Sequence, residues 1–182
     1  ACLTVKTRSG PLQVVALPWF PMTAFLVDEQ LRQAPATELE RTFRELVSRT
    51  VREHLASLDP SHPAVFLGHL TLEGGEFGAE RSVLLGNDPV FALDELGLLD
   101  APIDYVALGH LHKHQVLHDR PLVIYAGSVE RIDFSEEREE KGFVLVTIEP
   151  GEHPRQVNWS FRPVRTRAMR TLRFDLTTET PM

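Results

Sequence analysis

The sequence predicts a layered α/β domain, and two observations support this. Four short runs are apolar on both faces, as expected of strands in the middle of a sheet covered on both sides. They are Ala64–Leu70, Asp104–His110, Leu122–Gly127 and Gly142–Ile148. A stretch from residue 37 to residue 58 instead repeats its apolar side chains every three or four positions, which is typical of a helix packed on one face. Strands and helix together indicate α/β layers.

The first element is a predicted β-hairpin. Leu3–Thr7 and Leu12–Leu17 are rich in strand-forming residues, and Arg8–Pro11 separates them with a glycine at its centre. Trp19 and Phe20 follow between two prolines and are predicted to anchor the packing of this unit.

The helix comes next, and a capping box of Thr37 and Glu40 predicts its start. A short helix is predicted near Phe91–Leu96. Val157–Val164 and Thr171–Leu176 are predicted to be further strands, so the chain becomes richer in strand towards its end.

Composition narrows the class of protein. Hydrophobic residues make up 42% and charged residues 25% of the chain, the balance of a soluble globular protein. No apolar run approaches the ~18 residues of a membrane span, so we expect no membrane association. The single cysteine, Cys2, excludes an internal disulfide framework, and we expect a cytoplasmic location. Ala1 begins neither a secretory signal nor a natural start with Met, so we expect a piece of a longer protein.

Charge is unevenly distributed. The net charge is -7, yet the segment from His153 to Phe174 contains six arginines and no acidic residue. The acidic extreme is the run Glu136–Glu140, which we interpret as a solvated turn or short helix. The chain as a whole is therefore no general attractant for nucleic acid, although its arginine-rich end could be.

Two predicted strands end in the same way, with glycine followed by histidine. Gly68–His69 closes one, and Gly109–His110 closes the other and continues to His112. Ligands of open α/β sheets gather beyond the carboxyl ends of the strands, and the glycines allow close approach. Three imidazoles from two strand ends would suit manganese, iron or zinc. We therefore predict that His69, His110 and His112 are metal ligands.

The other five histidines lack such a context. We expect His114 to lie beside the metal ligands or in solvent and the remaining four on the surface; these are His54, His62, His118 and His153.

Three histidines do not hold two metal ions, because a dinuclear hydrolytic site also needs a bridging carboxylate and further anionic oxygens. The motifs D-x-H, G-D-x-x-D and G-N-H-D are absent from the chain. The nearest approach is Gly86-Asn87-Asp88, with no histidine between Asn87 and Asp88. We expect the carboxylate half of the site to lie outside this chain.

Three segments resemble the calcineurin-like metallophosphoesterases, and within them the SbcD branch of the Mre-type nucleases. They are Val65–Thr71, Asp104–His112 and Tyr125–Glu136. The third is the most specific, because Tyr-x-Gly-Ser followed by Asp-Phe-x-Glu and a later Lys-Gly-Phe is typical of the repair nucleases. The resemblance implies the second half of a metallophosphoesterase sandwich over residues 1–164, with the joint and first strand of a small capping domain over residues 165–182.

The resemblance also implies a function. His69 and His110 would ligate one ion and His112 the other, both usually manganese, in an enzyme that hydrolyses DNA phosphodiesters during end processing and double-strand-break repair. The intact enzyme would work as a homodimer of the nuclease subunit bound to an SbcC-type coiled-coil ATPase. The fragment alone would be inactive and would bind metal weakly or not at all.

In the resembled family the capping domain contacts DNA. Arg162, Arg165, Arg167 and Arg170 stand where a phosphate clamp would be useful. The alternative is that these arginines decorate an exposed strand and pair with the acidic loops. We interpret Gly127, Ser128 and Asp133 as turn and support residues rather than catalysts.

Two other functions stay open. The chain could belong to a metallophosphoesterase acting on small phosphoesters or nucleotides, although the arginine-rich end is less expected there. It could also be a non-catalytic structural or partner-binding piece, since half of the ligands are absent.

Overall fold

A six-stranded mixed sheet forms the centre of the computed structural model, which describes residues 1–22, 34–78 and 88–174. The strands are β1 (Cys2–Thr7), β2 (Gly10–Leu17), β3 (Ala64–His69), β4 (Thr71–Leu72), β5 (Val90–Phe91), β6 (Tyr105–Gly109), β7 (Gln115–Asp119), β8 (Leu122–Tyr125), β9 (Gly142–Ile148) and β10 (Val157–Pro163). The central sheet has the order β1-β2-β3-β6-β8-β7, with β2, β3, β6 and β8 parallel. The predicted α/β class is confirmed.

The predicted hairpin is also confirmed. β1 pairs antiparallel with β2 from Thr7 opposite Gly10, so Arg8 and Ser9 make the turn. Gly10 has a φ of +120°, a conformation that suits glycine.

Both faces of the central sheet are covered, which explains the apolar character of its inner strands. The helix α1 (Ala36–Ala56) covers one face with Phe43 and Val51. The antiparallel pair β9–β10 covers the other, where Val144 and Val146 pack against the apolar cluster that contains Ile124. Alternate side chains of β8 therefore enter two different cores. The prediction that β9 is a central strand buried on both faces is wrong, because Phe143 and Leu145 on its outer face are about half exposed.

The predicted capping box is wrong. Helix α1 begins one residue before Thr37, Pro35 is its N-cap, and no side chain caps it. The backbone N–H groups of Glu38 and Leu39 donate to the Pro35 carbonyl. Proline restricts the backbone at the N-cap position, and the helix begins directly after it. Thr37 therefore lies inside the first turn, and its hydroxyl is not at the N-cap.

The short helix predicted near Phe91–Leu96 is also wrong. Phe91 ends β5, and residues 93–100 form turns rather than a helix, with Gly97 among them at a φ of +73°. Arg52 of α1 binds the carbonyls of Asp94 and Glu95 in this turn. The tertiary contact satisfies groups that a longer helix would have bonded internally.

The end of the sheet opposite the histidines carries a buried ionic cluster. Asp104, fully buried, accepts a hydrogen bond from the Ala64 backbone N–H at 2.9 Å and pairs with Arg155 at 3.3 Å. Arg155 also donates to the Pro60 carbonyl at 2.7 Å. His153, which we expected on the surface, lies half-buried with Nδ1 3.3 Å from Asp104. The cluster joins the start of β10 to the base of the central sheet.

The segment after β10 does not test the predicted domain boundary. Residues 164–174 have no regular secondary structure, so the expected strand is not seen from Thr171 to Phe174. Its last residues, Asp175 and Leu176, lie outside the described residues. The capping domain over 165–182 stays a prediction. No helix in the described part of the chain is long and apolar enough to cross a membrane.

A pH-dependent contact attaches α1 to the turn after β5. Arg44 donates hydrogen bonds to both carboxylate oxygens of Glu95, and its Nε lies 3.2 Å from Oε1. Burial alone would raise the pKa of Glu95, but the hydrogen bonds from Arg44 and the Ala92 backbone outweigh it and lower the pKa below 4.5. A lowered pKa stabilises the fold above the ordinary pKa, and that stability is lost as pH falls through the folded-state pKa.

We therefore expect Glu95→Gln to lower the free energy of unfolding at pH 7 and to have a smaller effect at pH 3, measured by urea denaturation at both values. Glu45→Gln is the matched control, because the pair Arg41–Glu45 on the same helix is mostly exposed. An equal loss at both pH values for Glu95→Gln would contradict the assignment.

Candidate metal centre

The carboxyl ends of two neighbouring parallel strands bring His69 and His110 together. β3 and β6 pair with His69 opposite Gly109, so His110 follows at the same edge of the sheet. The two imidazole centroids lie 5.1 Å apart, with the rings inclined at 66°. The structure therefore brings these two predicted ligands together.

Backbone geometry at this edge depends on the glycines. A Cβ at Gly109 would lie 3.1 Å from His69 Nδ1, closer than nearly all real contacts. His110 is the one non-glycine residue with positive φ (+99°) in the described part of the chain. Such a conformation costs about 1–3 kcal/mol and is typical of functional sites.

Asp88 is a neighbour of this pair that sequence reasoning did not assign. Its Oδ2 lies 3.5 Å from His110 Nε2, and about a third of its side chain is exposed. Asn87, the other half of the nearest approach to G-N-H-D, lies outside the described residues. The only signal in the sequence was the Asn-Asp pair itself, which lies 22 residues before His110 in the chain.

The apolar wall beside His69 and His110 includes two aromatic residues that we expected to be packing anchors. Trp19 is 54% and Phe20 48% exposed, so neither is buried as that expectation requires. Phe20 does stack on Phe43 of α1, with centroids 6.3 Å apart.

His112 lies in a different environment, against a buried carboxylate. Its Nδ1 is 3.0 Å from Oε1 of Glu136, which is 0% exposed. Glu136 belongs to a 3-10 helix (Phe134–Glu136) that Asp133 caps by accepting from the Ser135 N–H at 2.7 Å. The interpretation of the acidic run as solvated is therefore wrong at Glu136. Asp133 has the supporting contact we expected.

Lys141 balances the charge of this carboxylate. Its ammonium lies 3.1 Å from Glu136 Oε2 and is 1% exposed. Burial alone would raise the pKa of Glu136, but the hydrogen bonds from Lys141, His112 and the Ile132 backbone outweigh it and lower the pKa. Glu136 and Lys141 are the acid and base of the motif Asp-Phe-x-Glu-x-x-x-x-Lys, whose fixed spacing was the signal that could have identified the pair.

Gly127 shapes the loop that carries His112. It has a φ of +80°, and a Cβ there would lie 2.8 Å from both the His112 carbonyl and the His114 nitrogen. The next residue, Ser128, donates its backbone N–H to the His112 carbonyl at 3.0 Å. These contacts agree with the supporting role expected for Gly127 and Ser128.

His114 is a packing residue in this structure. Its ring stacks on Phe161 with centroids 4.2 Å apart, and its Nδ1 is 3.0 Å from the Tyr125 carbonyl. His114 is therefore packed against Phe161 rather than surrounded by solvent.

The described residues by themselves do not complete a metal centre. Across residues 1–22, 34–78 and 88–174, no group of three or more His, Cys, Asp or Glu side chains could hold an ion. The structure joins His69 with His110 and places His112 outside a common ligand group with them. Metal ligation by these three residues stays a prediction.

All four arginines predicted to contact DNA are exposed: Arg162, Arg165, Arg167 and Arg170. The alternative required ion pairs with acidic loops, and none forms between these guanidinium groups and the acids of the described ranges. Arg155, from the same arginine-rich segment, belongs to the buried cluster with Asp104.

The segment that carries these arginines is attached to the His112 region through its backbone. Arg131 donates to the Glu136 carbonyl at 3.0 Å and to the Arg167 carbonyl at 3.2 Å. The Arg167 N–H donates to Glu130 at 3.1 Å. The part of the arginine-rich segment around Arg167 therefore lies against the loop that holds Glu136.

Comparison with known proteins finds similar curated sequences, among them two SbcCD nuclease subunits, and no matching family model. The chain is 26% identical over 162 residues to the SbcD component of the nuclease SbcCD from Staphylococcus epidermidis, covering 88% of this chain and 42% of that protein. It is 32% identical over 161 residues to the protein of the same name from Rhodobacter capsulatus, covering 85% of this chain and 38% of that protein. The chain thus spans about two fifths of the length of these relatives.

Proposed function

Because this chain is related to SbcD-type nuclease subunits over most of its length, we propose that it is the histidine-bearing part of a DNA repair nuclease. One observation supports this most strongly. The similarity extends through the segment in which two Gly-His strand ends converge, with His69 and His110 at 5.1 Å. A pair of imidazoles at the carboxyl edge of a parallel sheet is an arrangement that could supply two ligands of a hydrolytic metal site.

The proposed reaction is hydrolysis of DNA phosphodiester bonds, with two divalent ions, Mn²⁺ by our proposal, supplying electrostatic stabilisation of the phosphate. His69 and His110 would serve one ion and His112 the other. The carboxylates that such a centre needs are not grouped with these histidines in the described residues, so we propose that they come from a part of the protein outside this chain.

The partners follow from the same relationship. We propose that the whole protein acts in the cytoplasm as a homodimer with an SbcC-type coiled-coil ATPase and DNA. The four exposed arginines from Arg162 to Arg170 would contact DNA phosphates. Their guanidinium groups form no ion pair with an acidic residue of the described ranges, so they are available to bind phosphate.

The test uses the full gene product that contains this chain, beside the 182-residue chain itself. We expect Mn²⁺-dependent cleavage of DNA by the gene product and negligible cleavage by the chain, because no carboxylates complete a ligand group with these histidines among the described residues. In the gene product, His69→Asn or His110→Asn should lower the cleavage rate by at least about 100-fold, since loss of a ligand exceeds loss of its supporting partner. His54→Asn, on helix α1, is the matched control and should leave the rate unchanged.

Nucleotides and small phosphodiesters are assayed in parallel. Cleavage of these compounds without cleavage of DNA would replace the nuclease by a small-phosphoester enzyme. Mn²⁺-dependent DNA cleavage by the purified 182-residue chain would contradict the proposed division of the site.

A further inference from the structure

Glu136 is a charged side chain with no exposure to solvent, and each of its carboxylate oxygens has a partner. Oε2 lies 3.1 Å from the Lys141 ammonium and 3.2 Å from the Ile132 backbone N–H. Oε1 lies 3.0 Å from His112 Nδ1. Burying a carboxylate and an ammonium together is costly, and replacing such a pair by apolar residues is often neutral or stabilising. The pair therefore calls for an explanation other than stability.

The partners of Glu136 determine which nitrogen of His112 holds the proton. A carboxylate in an ion pair with lysine only accepts hydrogen bonds, so the contact with Nδ1 requires that Nδ1 donates. In the neutral imidazole the proton is then on Nδ1, and Nε2 holds the lone pair.

The backbone of His112 is held at the same time. Its carbonyl accepts from Lys141 Nζ at 3.1 Å and from the Ser128 N–H at 3.0 Å. Lys141 thus contacts both the residue that orients the ring and the residue that carries it. The ring and the main chain of His112 are fixed by the same buried pair.

We infer that Glu136, held by Lys141, is a positioning residue that fixes His112 as the Nδ1–H tautomer and presents Nε2 as the basic nitrogen. The use of that nitrogen as a ligand rests on the function proposed above. The tautomer and its cause concern only residues of this chain.

The position of the pair in the fold supports this assignment. Glu136 is anchored at its own backbone by Arg131, which also donates to the Glu139 carbonyl at 2.6 Å. Glu139 in turn pairs with Lys141 at 2.7 Å. The carboxylate therefore cannot swing away from His112 without breaking contacts on both sides, which is the rigidity that a positioning group needs.

The experiment records long-range ¹H–¹⁵N correlations of the histidine rings in the 182-residue chain near pH 8, without metal or DNA. A His112→Asn variant identifies the signals. We expect the Nδ1–H form of His112 to exceed the Nε2–H form by at least about tenfold, since hydrogen bonds to charged groups are stronger than neutral ones.

Two variants remove the carboxylate. In Glu136→Gln and in the double variant Glu136→Met/Lys141→Met, the tautomer ratio of His112 should fall by about tenfold or more. The double variant leaves no buried charge unpaired, so it is expected to fold even where the single variant does not. Glu140→Gln is the matched control, because this exposed residue of the same acidic run undergoes the same change of charge.

A predominantly Nε2–H His112 in the unmodified chain would overturn the inference, and so would an unchanged ratio in the folded double variant. Neither result depends on nuclease activity. A gene product without nuclease activity would remove the proposed function and leave the tautomer assignment standing.

Discussion

Asp104→Ala is expected to lower the free energy of unfolding of the chain by about 3–5 kcal/mol, the cost of removing one partner from a buried ion pair. The substitution would leave the Arg155 guanidinium, 1% exposed, without its carboxylate, and would remove the acceptor of the Ala64 N–H. Urea denaturation followed by circular dichroism measures the change.

The matched control is Asp100→Ala. Asp100 is an exposed aspartate shortly before β6, and its substitution should change the free energy of unfolding by no more than about 0.5 kcal/mol. The double variant Asp104→Ala/Arg155→Met should lose less than the sum of the two single variants, because the residues contact each other. Additive losses, or a loss below about 1 kcal/mol for Asp104→Ala, would show that the cluster does not hold β10 to the sheet.

Gly127→Ala is expected to destabilise the chain by about 2–5 kcal/mol and to displace the loop that carries His112. A residue with Cβ at φ +80° costs about 1–2 kcal/mol on its own. The new methyl group would also lie 2.8 Å from the His112 carbonyl and the His114 nitrogen, and such overpacking typically costs a further 1–3 kcal/mol, roughly.

Gly74→Ala separates the two contributions. Gly74 has nearly the same φ, +81°, but a Cβ there would meet nothing within 4 Å. We expect Gly74→Ala to cost only the conformational part, about 1–2 kcal/mol. Chemical denaturation gives both values, and backbone amide shifts around His112 should change in Gly127→Ala alone. Equal costs for the two variants would mean that the loop yields without strain.

The part of the candidate site that depends on a local sequence pattern was predicted from the sequence. A glycine and a histidine at the end of an apolar strand imply a close approach at the sheet edge, and His69 and His110 do meet there. The partners of His110 and His112 were not predicted. Asp88 lies 22 residues from His110 and Glu136 lies 24 residues from His112, and neither separation corresponds to a helical or strand period.

Two predictions of secondary structure were wrong. The capping box at Thr37 and the helix near Phe91–Leu96 were both inferred from local propensity. At Thr37 the neighbouring Pro35 is the N-cap instead, whereas near Phe91–Leu96 a tertiary contact decided otherwise. Arg52 binds the carbonyls of the turn at Asp94 and Glu95, so the backbone there did not need helical hydrogen bonds. Propensity is a weak preference that such contacts outweigh.

By itself, the sequence determined the α/β class, the hairpin, three of the four central strands and the two Gly-His strand ends, because each depends on residues a few positions apart. The tertiary structure alone decided that Glu136 is buried against His112, that Asp104 pairs with Arg155, and that Trp19 is half exposed. The physical reason is that burial and charge pairing depend on which distant segments meet. Solvent is excluded from Glu136 only when Lys141 and the His112 loop close around it.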